Sequence, residues 1–131
     1  MLIVGLPLVG AAVTAANRNR WSEGTLARTA SAFVAGSFIA SLIALWQLRA
    51  GAGEVLGYEL VQWGPWGNAT ITLGLLGDSI SLWWAIVVTG VGFLIHVYSS
   101  GYMHGDPGFG RYFAKLNYFV FAMSLLVLSD N

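Results

Sequence analysis

The sequence predicts an all-α integral membrane protein with four transmembrane helices and a small extramembrane β-hairpin between the second and third helices. Three observations lead to this fold class. Hydrophobic residues make up 56% of the chain and charged residues only 9%, whereas soluble domains contain about 25% charged residues. The apolar residues fall into four runs. Polar or glycine-rich breaks separate these runs and contain most of the charged side chains.

Composition also limits the function of the chain. Its formal net charge is zero, so it offers no basic stripe for nucleic acid, and we expect no nucleic-acid partner. The chain contains no cysteine. Disulfides, thiolate nucleophiles and cysteine-held zinc or iron–sulfur centres are therefore excluded within it. The surroundings that this composition indicates are the lipid bilayer.

The first apolar run covers residues 1–16. As a helix it would be about 24 Å long, which is short against a hydrocarbon core of about 30 Å. A cleaved signal peptide is the alternative, because Thr14, Ala15 and Ala16 are small. The positive charges follow the run instead of preceding it, which favours an uncleaved first helix.

The second run, residues 26–48, has full spanning length and is closed by Arg49. Small residues recur along it at four-residue intervals, beside two serines. This ridge consists of Ala32, Gly36, Ala40 and Ala44, with Ser37 and Ser41 next to it. Because small residues at this spacing let helices approach closely, we predict a helix-packing face, with a pore lining as the alternative.

Residues 50–77 are too rich in glycine for a membrane span. Two segments in this region, 58–63 (YELVQW) and 69–73 (ATITL), are rich in strand-forming residues. They flank residues 64–68 (GPWGN), which carry turn-forming residues. The pattern predicts a β-hairpin outside the membrane.

The third helix is predicted over residues 79–100, with Asp78 as its cap accepting a hydrogen bond from the backbone of Ser81. Residues 101–111 contain glycines and a proline and are predicted to form a loop. The fourth helix is predicted over residues 112–128, which form the last apolar run.

Basic residues predict the orientation of these helices. Five of the six follow the first helix or surround the loop before the fourth: Arg18, Arg20, Arg28, Arg111 and Lys115. Arg49 alone lies at the opposite side. Because positively charged loops stay in the cytoplasm, we expect these two loops to be cytoplasmic, and the amino terminus, the hairpin and residue 131 to be periplasmic.

His96 is the leading candidate for a functional side chain, because it lies inside the third apolar run. A proton-relay or substrate-path role is one interpretation. The other is a structural polar residue that is hydrogen-bonded to a neighbouring helix. Lys115 is a second polar candidate, but it can extend to the membrane surface. His96 and His104 lie on either side of a predicted helix end, so we expect no metal site.

Several segments carry a resemblance to a known family. They are residues 89–103 (TGVGFLIHVYSSGYM), 112–117 (YFAKLN) and 126–131 (LVLSDN), with weaker likeness at 6–10 (LPLVG) and 20–23 (RWSE). Residues 78–131 resemble the amino-terminal region of chain 5, or subunit L, of NADH:quinone oxidoreductase (complex I). The positions that match its pattern are Asp78, His96, Tyr98, Tyr102, Asp106 and Asn117.

The resemblance implies a membrane-arm subunit of a respiratory proton pump in the bacterial inner membrane. It implies that other membrane-arm subunits are the partners of the chain. NADH, FMN, the iron–sulfur clusters and quinone are then expected in partner subunits, and no cofactor in this chain. The proton path of the family uses a glutamate on the following helix and later lysines, so we expect no catalytic residue here and a longer protein or assembly.

The chain is thus expected to divide into residues 1–49 with two helices, 50–77 with the hairpin, and 78–131 with two further helices. Two alternatives to a complex I subunit stay open. One is a large subunit of an Mrp-type cation/proton antiporter or a membrane-bound hydrogenase, since these share ancestry with the family. The other is a stand-alone structural or assembly protein of the membrane.

Overall fold

A computed structural model of the chain describes residues 1–51, 56–66 and 69–129. The elements run in the order α1 (Leu2–Asn17), α2 (Glu23–Arg49), β1 (Leu56–Trp66), β2 (Ala69–Gly77), α3 (Ser79–Tyr102) and α4 (Phe109–Leu128). Helices α2, α3 and α4 are long and apolar enough to cross a membrane, and α1 is a shorter apolar helix. The predicted fold class, four apolar helices with a hairpin after the second, is confirmed.

Successive helices run antiparallel. Ile3, at the start of α1, accepts a hydrogen bond from the hydroxyl of Ser37 in the second half of α2. Gly10, further along α1, lies against Phe33, which is earlier in α2. The end of α1 in turn lies beside the start of α4, so α1 contacts both its sequence neighbour and the last helix.

Local sequence explains most of the helix ends. The Ser22 hydroxyl accepts a hydrogen bond from the backbone N–H of Thr25 at the start of α2. Asp78 accepts one from the N–H of Ser81 at 2.8 Å, which confirms the predicted cap of α3. Gly51, just after α2, has a φ of 91°, a conformation that glycine adopts without a Cβ penalty, and it ends that helix.

Helix α4 begins at Phe109, three residues before its predicted start, so the preceding loop is shorter than expected. The prediction treated Pro107 and Gly108 as helix breakers. They lie immediately before the first turn, where the backbone N–H groups need no intrahelical partner. The Asp106 carboxylate accepts a hydrogen bond from the N–H of Gly108 at 2.6 Å and tightens this turn.

The strands of the hairpin are longer than predicted and pair antiparallel. The register shifts between Glu59 and Val61 and again between Trp63 and Pro65, as bulges do when one strand holds an extra residue. Residues 67–68 of the predicted turn lie outside the described residues. Leu75 in β2 forms an isolated bridge with Ser129, so the hairpin contacts the end of α4.

The predicted packing ridge of α2 is only partly correct. The residues of α2 that are buried form a neighbouring stripe: Leu26, Ala27, Ala30, Val34, Ser37, Ser41 and Leu45. Ala40 and Ala44 are half-buried at its border, and Ala32 is exposed. Small residues permit close approach, but the inward face of α2 also follows the larger Leu and Val side chains that fill the interior.

The two positively charged loops lie at the same end of the bundle. The Nδ1 atom of His104 is 2.8 Å from a carboxylate oxygen of Glu23, which joins the α3–α4 loop to the start of α2. The same oxygen accepts a hydrogen bond from the N–H of Gly105 at 3.1 Å. Met1 and Leu75 line one cavity at the other end. Residue 131, whose side of the membrane was also predicted, lies outside the described residues.

Candidate functional site

His96 lies on the inner face of α3 and is fully buried. The buried residues of α3 recur every three or four positions, which is the period of one helix face. They are Leu82, Ala85, Thr89, Gly92, His96 and Ser99. His96 therefore occupies a regular core position of the helix, and its imidazole must find hydrogen-bond partners inside the bundle.

Both imidazole nitrogens of His96 have such partners. Nδ1 is 2.7 Å from the carbonyl oxygen of Gly92, one turn earlier. A carbonyl oxygen only accepts, so Nδ1 carries the hydrogen and donates it. Nε2 then has a free lone pair and accepts a hydrogen from the Asn117 amide nitrogen at 3.2 Å. These contacts assign a neutral imidazole that joins α3 to α4.

Asn117 uses both hydrogens of its amide. The second goes to the carbonyl oxygen of Phe113 at 3.2 Å. Its side-chain oxygen is buried and has no hydrogen-bond partner among the described residues. That oxygen faces α1 at Gly10, where an added Cβ would lie 2.6 Å from it. Only glycine therefore lets α1 close over the amide.

Apolar side chains surround this His–Asn pair. The ring of Phe113 lies edge-on to the imidazole of His96, with centroids 5.8 Å apart. One turn away, α3 and α4 meet at Gly92, where a Cβ would lie 2.9 Å from a methyl group of Val120. Val34 of α2 also borders this glycine. Val34 and Val120 thus pack tightly against Gly92, beside the pair.

Further buried polar groups lie on both sides of the His96–Asn117 pair along the axes of α3 and α4. Toward the charged loops, the hydroxyls of Ser99 and Tyr112 are 2.9 Å apart and again join α3 to α4. Toward the hairpin end, Thr89 donates to the carbonyl oxygen of Ala85 at 2.6 Å. Ser124 is buried there as well, and its hydroxyl has no partner in the part of the chain that the structure describes.

Among the residues singled out from the sequence, the structure brings His96 and Asn117 together inside the bundle. Tyr98 and Tyr102 are exposed on the outside of α3 and stack on each other, with ring centroids 5.9 Å apart. Lys115 is exposed on α4, apart from the buried Asn117. These three side chains project from the outer surface of the bundle.

Asp78 and Asp106 stabilise backbone turns. Asp106 bonds to the N–H of Gly108 in the α3–α4 loop, as described above. Asp78 caps α3 outside the membrane-spanning segment. The Ser81 side chain and then its backbone N–H are hydrogen-bonded to the Asp78 carboxylate and hold its pKa below the ordinary value of 3.8.

Two contacts were not anticipated. His96 and Asn117 were both named, but their pairing depends on the register between α3 and α4, which one sequence does not provide. The sequence does carry one indication of the pairing, because His96 and Asn117 each lie on the face of their helix that is buried. The contact between Glu23 and His104 requires the α1–α2 and α3–α4 loops to meet. In the sequence, the only indication of this was that both loops are positively charged.

The chemistry open to the pair is limited by its partners. The free lone pair of His96 Nε2 is already occupied by the Asn117 amide. Binding a proton there would require the Asn117 amide to rotate and present its oxygen. Within the described residues, no three His, Cys, Asp or Glu side chains converge into a group that could hold a metal ion.

Three long apolar helices, a shorter apolar one and a buried, neutral polar pair between α3 and α4 define a multi-pass membrane protein. Comparisons with known proteins specify it further. Residues 63–113 match the family model described as the N-terminus of chain 5 of NADH-ubiquinone oxidoreductase (complex I). The matched segment includes the end of β1, all of β2 and α3, and the start of α4.

Curated relatives match almost the whole chain. NADH-quinone oxidoreductase subunit L of Escherichia coli is 38% identical over 140 residues, covering 99% of this chain and 21% of the relative. Subunit L of Mycobacterium tuberculosis is 38% identical, with the same two shares. NADH-ubiquinone oxidoreductase chain 5 of Triticum aestivum is 37% identical over 100% of this chain and 19% of the relative.

The chain therefore belongs to the family of complex I chain 5 and subunit L, as its motifs indicated. It spans about a fifth of the length of the curated relatives it matches.

Proposed function

We propose that the chain forms part of a membrane-arm subunit of a proton-translocating NADH:quinone oxidoreductase and contributes to coupling quinone reduction to proton transport. The observation that carries this proposal is the similarity along 99% of the chain to proteins named as subunit L of that enzyme. Three helices that are long and apolar enough to cross a bilayer, together with a shorter apolar one, support it. An Mrp-type antiporter, a hydrogenase subunit and a stand-alone assembly protein are the rivals.

Within that subunit, we assign the four helices a structural role. The buried polar side chains of the described residues are all uncharged or neutral: Thr14, Ser37, Ser41, Thr89, His96, Ser99, Asn117 and Ser124. Proton transfer through a bilayer uses groups that gain and lose charge. The residues that move protons then lie in other parts of the complex, and α1–α4 support them.

His96 is assigned to this support. Both of its nitrogens are occupied, and valine packing closes the interior beside it. Its hydrogen bond to Asn117 fixes α3 against α4, which favours the structural interpretation over a proton relay. Lys115, exposed on α4, extends to the membrane surface in this proposal.

Cofactors and partners follow from the same assignment. We propose that NADH, FMN, iron–sulfur clusters and quinone are bound by partner subunits and that this chain binds none of them. Its partners are lipids and the neighbouring membrane-arm subunits, with no nucleic acid among them. The apolar outer faces of α2–α4, with exposed side chains such as Ile39, Leu94 and Phe119, suit both lipid and neighbouring helices.

We also propose that the chain lies in the bacterial inner membrane with the α1–α2 and α3–α4 loops in the cytoplasm. The five basic residues at that end support this orientation. Because the chain has no cysteine, single cysteines at Asn19 and Asn68 can be labelled selectively. The two sites should react with a membrane-impermeant maleimide from opposite sides. Labelling from one side would contradict the topology.

Purification from native membranes tests the function. The chain, tagged in its own cells and solubilised in mild detergent, should migrate on a native gel with FMN and with NADH-oxidising activity. Migration with a cation/proton exchanger that lacks both would favour the Mrp-type rival. A tagged chain that migrates alone would refute the proposal in favour of the assembly protein.

A further inference from the structure

A small cavity lies at the charged-loop end of the bundle, where α1 ends and α4 begins. Its volume is about 160 Å³, and it is lined by Arg18, Asn19, Pro107, Gly110 and Arg111. Neither the family assignment nor the proposed function uses this cavity. Two of its five lining residues carry a permanent positive charge, because arginine stays protonated at any physiological pH.

Tight backbone packing holds the two walls of the cavity together. Gly110 is buried in the first turn of α4, and a Cβ at this position would lie 2.7 Å from the Cβ of Arg18. Arg18 directly follows the last residue of α1. Arg18 and Arg111 therefore stand on two helix ends in direct contact, and their separation is set by the fold.

The nearby acidic side chains are engaged elsewhere. The Glu23 carboxylate contacts His104 and the N–H of Gly105, and the Asp106 carboxylate bonds to the N–H of Gly108. Among the described residues, neither Arg18 nor Arg111 has a carboxylate within ion-pair distance. Two like charges thus share one cavity, an arrangement that an anion between them would stabilise.

The other groups of the cavity favour an anion as well. The Asn19 side chain offers amide hydrogens. The Phe109 N–H bonds to the Asp106 carbonyl oxygen, but the backbone N–H groups of Gly110 and Arg111, in the same first turn, lack intrahelical acceptors and lie at the positive end of the helix dipole. Phosphate oxygens suit this set, since each guanidinium can donate two parallel hydrogen bonds to them.

The position of the cavity identifies the source of the phosphate. It lies where two apolar helices end, at the end of the bundle that carries five of the six basic residues, and the ends of helices that cross a bilayer meet the lipid headgroups. Basic pockets of this kind between membrane helices bind anionic headgroups. A zwitterionic headgroup would also bring an ammonium group toward two arginines.

We propose that the cavity between Arg18 and Arg111 binds the phosphate of an anionic phospholipid headgroup. The lipid bridges the end of α1 and the start of α4 and so stabilises their contact. This inference is independent of the proposed function, because it depends only on the membrane setting and the two helix ends.

The test measures lipid binding to the full chain, purified from membranes and placed in nanodiscs or detergent for native mass spectrometry. The probes are phosphatidylglycerol, phosphatidylcholine and inorganic phosphate. The wild-type chain should retain phosphatidylglycerol in preference to phosphatidylcholine. The R18Q/R111Q variant should bind phosphatidylglycerol about thirtyfold more weakly, given the contribution of each basic residue at an anionic surface.

The matched control is R20Q/R28Q, which removes the same charge from the same end of the bundle but not from the cavity lining. Its affinity should change less than about threefold at physiological salt, since Arg20 and Arg28 do not line the cavity and would reach the phosphate only through screened solvent. Equal losses in the two double variants would overturn the proposal. Competition by inorganic phosphate at concentrations equal to the lipid would overturn the headgroup as the source.

A third variant covers the case that R18Q/R111Q does not fold. R18K/R111K keeps both charges and removes the bidentate geometry, so it should retain the preference for phosphatidylglycerol with weaker affinity than the wild type. Loss of the preference in a folded R18K/R111K would contradict a charge-based site. Circular dichroism and gel filtration establish that each variant is folded.

Discussion

Replacing His96 and Asn117 by leucine, singly and together, measures what their hydrogen bond contributes to the bundle. In H96L, the Asn117 amide loses an acceptor and keeps a buried, unpaired hydrogen. In N117L, the lone pair of His96 Nε2 is left unpaired instead. In the double variant neither unpaired polar group is present. The Gly92 carbonyl keeps its backbone partner in every variant, because the helix itself supplies one.

The expected losses of unfolding free energy follow from these unpaired buried groups. An unsatisfied buried polar group costs about 1–3 kcal/mol, whereas replacing both partners by apolar groups can be nearly neutral. H96L should therefore lose about 1–3 kcal/mol of unfolding free energy. N117L should lose less, because it also removes the side-chain oxygen that has no partner among the described residues. The double variant should be more stable than the sum of the singles predicts, by about 1 kcal/mol.

Reversible unfolding in mixed micelles, followed by near-UV circular dichroism, gives the four free energies of the cycle. The control cycle pairs H96L with Y118L, because Tyr118 follows Asn117 in sequence but is exposed on α4. That cycle should be additive. Additivity of the His96 and Asn117 changes within about 0.3 kcal/mol would refute the assigned hydrogen bond between α3 and α4.

Three further predictions concern close approach and capping. G10A should destabilise the bundle by about 1–3 kcal/mol, because the new Cβ would lie 2.6 Å from the Asn117 oxygen. The control G5A places a Cβ in open space, and equal losses in the same unfolding assay would contradict the close contact. G92A should destabilise similarly, and adding V120A should restore part of the loss, since Val120 is the obstructing side chain. Failure of V120A to relieve G92A would place the strain elsewhere. The Asp78 cap should stabilise α3 fully above the ordinary pKa of 3.8 and lose its effect as the pH falls through the lower folded-state pKa. The stability difference between wild type and D78A should therefore shrink at low pH, and a difference that grows on acidification would have the wrong sign.

The helices could be predicted because burial in lipid selects for uninterrupted apolar runs. The start of α3 was equally accessible, since Asp78 lies where a capping oxygen reaches the N–H of Ser81. The start of α4 could not be predicted in this way, because a proline followed by a glycine is found both inside loops and directly before the first turn of a helix. Local composition alone does not distinguish these two cases.

The candidate site was only half accessible from the sequence. His96 was conspicuous as a titratable residue in an apolar run. Its partner Asn117 is 21 positions away, and the pairing depends on how two helices align, which one sequence does not encode locally. The ridge of small residues on α2 indicated a packing face, but the inward face also includes Val34 and Leu45, which fill volume. The four-residue spacing of the small residues indicated that α2 packs against other helices, but it did not determine which face of α2 points into the bundle.

The glycine at position 10 determines how α1 can be seated. Exposed and buried positions of α1 are both apolar, for example Leu8 outside and Val4 inside, so the bilayer specifies neither the rotation of this helix nor its depth. Gly10 does specify them, because a shift by one turn would bring Leu6 or Thr14 against the Asn117 amide. Gly10 therefore fixes the register of α1, because any other register would place a side chain where the bundle leaves no room for one.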